Sequence, residues 1–157
     1  MPFARSQLDI ICCRSDPDKP IARSDFDDLT KRWKGLVHTE IVTEGFQRLY
    51  FDHQVHPVLY ANHQGGYRAF CHACNHNVAS SFSKAVSKWR SGSERTFECP
   101  ACLASYPLED VRLMPDGAIA TGAIVFSGVE SITLTSRVES DLQDILGNFK
   151  LIYKRIG

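Results

Sequence analysis

The sequence predicts a mixed α/β fold of the α+β kind, a small sheet with packed helices and a cysteine-bearing insertion. Three observations predict it. Apolar, β-branched runs with strand character lie near both ends of the chain, at residues 8–13 and 149–156. Amphipathic helix patterns stand between strand patterns in both halves, so the strands cannot all be joined by hairpins. Two Cys-x-x-Cys pairs fall near the middle, at 71–74 and 99–102. A chain of 157 residues suits a single domain spanning 1–157.

In chain order, residues 8–13 (Leu-Asp-Ile-Ile-Cys-Cys) read as the first strand, and the Asp/Pro-rich stretch 14–23 as a loop. Ser24 is the expected N-cap of a helix. Asp25, Asp27 and Asp28 suit its positive end, Phe26, Leu29 and Trp33 follow at helical spacing, and Gly35 lies just past its end. Strands are expected over 36–42, 47–51 and 55–60, then a Gly65-Gly66 turn and an approach over 67–70 to the first cysteine pair. Val78, Phe82, Ala85, Val86 and Trp89 make one apolar stripe, predicting a helix over 77–90. Residues 96–98 lead into the second pair as a short strand, and 107–117 read mainly as loop and turn. Over 118–157 the expected ending is strand-strand-helix-strand. Ser136 and Glu139 have capping-box spacing, Val138, Leu142, Ile145 and Leu146 form the buried stripe, and Gly147 closes the helix.

Charge narrows the choice of function. Lys plus Arg number 18, as do Asp plus Glu, and the balance holds locally. Phosphate binding normally leaves a basic excess, because released counterions supply much of the affinity. None is present here. The first residues carry no apolar centre of the kind a signal peptide has, and no apolar run approaches the roughly 20 residues that span a bilayer. The expectation is a cytoplasmic protein with no membrane partner, whose thiols stay reduced.

The cysteine spacing is the most specific signal. A Cys-x-x-Cys pair can form a tight turn that aims two sulfurs at one ion, and two such turns complete a tetrahedron. Cys71, Cys74, Cys99 and Cys102 are therefore the expected ligands of one structural zinc ion. The 24 residues between the pairs exceed the usual interval, and the helix over 77–90 accounts for the surplus. Residues 67–106 would form the zinc-ribbon submodule with its helical insertion. Iron in a single-ion or cluster site also accepts four thiolates, and one Cys-x-x-Cys alone suffices for redox work. His72 and His76 are neighbours of the first pair rather than expected ligands. Four thiolates leave no open position for water, so the site is read as structural.

Other candidates have plainer explanations. His53 and His56, with Asp52 and His63, could hold a second metal, but in an extended segment His53 and His56 point to opposite faces and Pro57 bars a helix. One of Cys12 and Cys13 is expected in the core and the other facing away. The acidic residues 16–28 lack calcium-loop spacing. Lys84, Lys88, Arg90 and Arg95, with Arg68, are the most basic feature, read as the wet face of a helix with phosphate contact as the alternative. No phosphate loop or nucleophile elbow is present.

The paired knuckles at Cys71/Cys74 and Cys99/Cys102 resemble the zinc-ribbon class. Residues 98–157 are similar to the ends of small, uncharacterised bacterial zinc-ribbon proteins, sharing a Cys-Pro-x-Cys knuckle, two strands, a helix closing at Leu146-Gly147 and a strand closing at Arg155-Ile156. The resemblance implies metal binding and a strand-helix-strand ending, and no catalytic residue. The resulting expectation is a non-catalytic zinc-binding protein acting through protein–protein interaction, of the immunity or adaptor type. Tyr50, Tyr60 and Tyr67 are candidate interface aromatics. The alternative is a nucleic-acid-binding zinc ribbon.

Overall fold

The computed structural model describes residues 7–156; the first six residues, where a leader would begin, lie outside them. The chain has a mixed α/β fold. Its main sheet unites the two ends of the sequence: β1 (Gln7–Arg14), β2 (Arg48–Asp52), β9 (Ala123–Val129) and β10 (Phe149–Ile156) lie in the order β10-β1-β9-β2, all neighbours antiparallel. Helices α1 (Arg23–Arg32) and α3 (Ser136–Leu146) cover one face. Ile10 and Cys12 of β1 and Ile124 and Phe126 of β9 point to that side, against Leu29, Trp33, Val138, Leu142 and Leu146. Trp33 donates its indole N–H to Asp141 Oδ2 at 2.9 Å, tying α1 to α3 with its polar atom satisfied.

The opposite face is covered too. A two-stranded ribbon of β3 (Val58–Tyr60) and β8 (Ala118–Ala120) lays Ala118, Ala120 and Tyr60 over Ile11, Cys13, Val125 and Ile152. Alternate residues of β1 and β9 thus enter different cores, which is why both strands read as continuous apolar runs instead of alternating ones. Cys12 and Cys13 are both fully buried, one on each face. The expectation that one would face away is corrected: its face of the sheet is roofed.

Beyond the ribbon, a third core forms around β4 (Arg68–Phe70), α2 (Ala79–Arg90), β5 (Thr96–Glu98), β6 (Ser105–Pro107) and β7 (Arg112–Met114), with β4 paired to β7 and β5 to β6. Val78, Phe82 and Val86 from the helical stripe meet Phe97, Leu108, Leu113 and the buried cysteines 71 and 99.

Several local expectations differ from the structure. The first helix is capped from Ala22, not Ser24, and Asp25 accepts the Ala22 N–H at 2.8 Å. Residues 36–42 are not a strand: a short 3-10 turn at His38–Glu40 breaks the run, and only Val42 bridges Leu134. The second strand of the expected C-terminal ending, at residues 131–135, is likewise absent, with only the bridge at Leu134. The N-cap of α3 is Thr135, and no side chain caps that terminus. The Thr135 hydroxyl instead donates to the carbonyls of Glu40 and Ile41, at 2.8 and 3.2 Å, pinning the entry of α3 to the turn after α1. Residues 107–117, expected mainly as loop and turn, hold the last residue of β6 and all of β7.

Candidate metal centre

Each knuckle begins where a short strand ends. Cys71 follows β4 and Cys99 follows β5, and the turns have the same hydrogen-bond pattern. The Cys71 N–H donates to the His76 carbonyl, and the Asn75 N–H to the Cys71 carbonyl, both at 2.9 Å. In the second turn, Cys99 N–H reaches the Ala104 carbonyl at 3.0 Å and Leu103 N–H the Cys99 carbonyl at 2.9 Å. Both turns close through a left-handed residue, Asn75 at φ 60° and Leu103 at φ 64°. Each turn also aims an amide at its first sulfur: Ala73 N–H at Cys71 Sγ (3.3 Å) and Ala101 N–H at Cys99 Sγ (3.4 Å).

The four sulfurs converge. All lie within 4.8 Å of one another, with Cys71 Sγ 3.8 Å from Cys102 Sγ and Cys74 Sγ 3.7 Å from Cys99 Sγ. A tetrahedron with zinc–sulfur arms of about 2.3 Å has edges of about 3.8 Å. A disulfide would need about 2.05 Å. Both close separations join one turn to the other, so the cluster is shared between the two knuckles. The donor set therefore fits a tetrahedral thiophilic ion on distance as well as on chemistry.

The surroundings favour thiolate at Cys71. Burial opposes its ionisation, but the Tyr106 hydroxyl and the amides of Cys74 and Ala73 outweigh it and bring the thiol down to about 6. Tyr106, from β6, donates to Cys71 Sγ at 3.1 Å and accepts the His72 N–H at 3.0 Å. Nothing in the sequence singled out Tyr106, because its role depends on the pairing of β5 with β6. The His72 ring stands edge-on to Tyr106, and both His72 and His76 are exposed. Cys71 and Cys99 are buried, whereas Cys74 and Cys102 are exposed.

Among the described residues these four cysteines are the one metal-suited group of His, Cys, Asp and Glu. Asp52, His53, His56 and His63 do not converge. Asp52 accepts the Tyr60 hydroxyl at 2.5 Å, His53 stands by Phe51, His56 lines a concavity with Trp89 and Arg90, and His63 stacks edge-on against Tyr67. Tyr50, Tyr60 and Tyr67 are half-buried parts of cores rather than exposed anchors. Lys84, Lys88 and Arg90 are exposed, and Lys84 and Lys88 share a groove with Glu94 and Glu98. Arg95 is occupied by Asp18 and Glu109. The acidic stretch after β1 is likewise used locally: Asp25 pairs with Arg14 and Asp27 with Arg23.

Fold and site together define a mixed α/β protein with a four-cysteine cluster suited to metal. No helix of the described chain is long and apolar enough to cross a membrane. Compared with family models, curated proteins and solved structures, the chain matches none, so the likeness of residues 98–157 to bacterial zinc-ribbon proteins gains no support there.

Proposed function

We propose that this chain is a non-catalytic protein in which Cys71, Cys74, Cys99 and Cys102 hold one zinc ion, and that it acts by binding another protein. The observation that carries the metal reading is the sulfur geometry: two turns with the same hydrogen bonding deliver four sulfurs within 4.8 Å of one another, with the two cross-turn separations of 3.7 and 3.8 Å at tetrahedral-edge length. Four thiolates complete the coordination sphere, so the ion would hold residues 67–106 together without activating water. Zinc is favoured over iron because a closed four-thiolate site between two knuckles is its ordinary structural setting.

The protein-binding part rests on charge and on the basic residues. The chain is neutral overall, Arg95 is neutralised from two sides, and Lys84 and Lys88 lie beside carboxylates. These features disfavour the nucleic-acid alternative, which depends on a positive surface. Native mass spectrometry of the protein gently isolated from its host tests the reading. One zinc plus the mass of a second polypeptide supports it; zinc-loaded chain that carries nucleic acid and no second polypeptide contradicts it.

A further inference from the structure

We infer that the outer edge of β10 is a docking site for an extended segment of a partner protein in which acidic and apolar residues alternate. The inference deepens the protein-binding reading and rests on it. Among the described residues β10 has one neighbour, β1, so its other edge ends the sheet. The backbone groups facing outward are identified by two contacts. Asn148 uses its carbonyl to accept Ser15 N–H on the β1 side, whereas Arg155 N–H turns the other way to Asn62 Oδ1 at 2.8 Å. By antiparallel alternation the N–H and C=O groups of Phe149, Leu151 and Tyr153 also face outward. They present three donors and three acceptors in a row, the arrangement that strand addition uses.

Side chains decide what kind of strand fits. Residues of one parity, Lys150, Ile152 and Lys154, share the sheet face of Cys13, and Phe149, Leu151 and Tyr153 share the face of α3. The strand carries Lys150, Lys154 and Arg155 and no acid. None of the three makes an ion pair among the described residues. An incoming strand therefore meets two lysines on one face, where carboxylates are favoured. On the other face it meets an open concavity of about 560 Å³ beside Tyr153, lined by Met114, Pro115, Arg68 and Asp116. Met114 is more than half exposed there, giving an apolar side chain a floor. Arg68 and Asp116 offset each other there, so that side has no charge preference and its apolar floor decides what fits.

A second copy of this chain is a poorer occupant. Two β10 strands paired antiparallel in the register centred on Ile152 would set Lys150 opposite Lys154 twice, and directly opposed like charges are destabilising. The sheet's other edge, β2, carries both Arg48 and Asp52 and so shows no charge preference.

The test uses the zinc-loaded full chain and the synthetic peptide Glu-Val-Glu-Leu-Glu-Val-Glu, with amide exchange and chemical shifts read by NMR. The expected result is protection of the Phe149, Leu151 and Tyr153 amides. The double variant Lys150→Glu/Lys154→Glu should weaken peptide binding by about tenfold or more, with its own spectrum otherwise unchanged. No protection at millimolar peptide would overturn the inference, leaving the lysines as guards against self-pairing. So would an oligonucleotide that moves these amides when the peptide does not. A co-isolated partner that binds the double variant undiminished would also overturn it, while leaving the protein-binding reading intact.

Discussion

Arg95 grips Asp18 with both terminal guanidinium nitrogens, at 3.1 and 3.2 Å, across 77 residues of sequence. Its Nε simultaneously donates to Glu109 Oε2 at 3.0 Å. One side chain thus clamps the loop after β1 to the turn between β6 and β7. The two halves of the clamp are unequal: Asp18 is 69% exposed, whereas Arg95 and Glu109 are 20% and 18% exposed.

Arg95→Ala is expected to cost about 1–3 kcal/mol, because Glu109 is left enclosed without its cation. Asp18→Ala should cost less than about 1 kcal/mol, since its partner pair is screened by water. Burial already raises the Glu109 carboxyl above its ordinary value, and Arg95 opposes the rise. Without Arg95 it rises further, so the charged form burdens the fold as pH increases through that range. Urea midpoints should therefore show a larger deficit for Arg95→Ala at pH 7 than at about pH 4, where carboxyls approach neutrality.

Tyr106→Phe removes the hydroxyl that donates to Cys71 Sγ and keeps the ring that packs against Phe97. Loss of a hydrogen bond to a ligand typically lowers metal affinity by about 10-fold or more. Competition with a chromophoric chelator should show that loss while the circular dichroism of the loaded protein stays unchanged.

Leu103 closes the second knuckle at φ 64° while 70% exposed, so its side chain gains little from burial in return for a left-handed backbone. Its counterpart Asn75 is a residue type that tolerates this conformation, and its side chain also accepts a hydrogen bond from Arg112. Leu103→Gly is expected to stabilise the zinc-loaded protein by about 0.5–1 kcal/mol. Thermal unfolding would show this as a rise of about 1–4 °C.

How much of this was legible in the sequence depended on the range of the interaction. The four cysteines, the stripe Val78–Phe82–Val86, the strand Thr96–Glu98 and the final strand all carry their signal locally, and each lies where the pattern put it. Residues 131–135 had strand composition, yet the Thr135 hydroxyl is drawn to Glu40 and Ile41 about 95 positions away. β7 is three residues long and takes its identity from pairing with β4. One of Cys12 and Cys13 was expected to face outward because alternation shows that a face differs from its neighbour, not what covers it. The Tyr106 contact was hidden for the same reason, since it exists only once β6 has folded back on β5.

Cys12 and Cys13 should be the least reactive thiols of the chain. Burial pushes Cys13 up to about 12, opposed by Lys150, and burial together with Cys13 raises Cys12 well above its ordinary value. A thiol raised in this way stays protonated through neutral and mildly alkaline pH, and the thiolate is the nucleophile. Iodoacetamide at about pH 8, applied to the folded protein, is expected to leave both unlabelled by peptide mapping, and to label them once denaturant is added.

The central claim is that Cys71, Cys74, Cys99 and Cys102 together hold one zinc ion. X-ray absorption at the zinc edge, on protein whose metal content has been counted, tests it most directly. The account predicts one zinc per chain with four sulfur neighbours at about 2.3 Å and no nitrogen or oxygen in the first shell. A shell containing nitrogen or oxygen, or a chain isolated with iron or without stoichiometric metal, would contradict it.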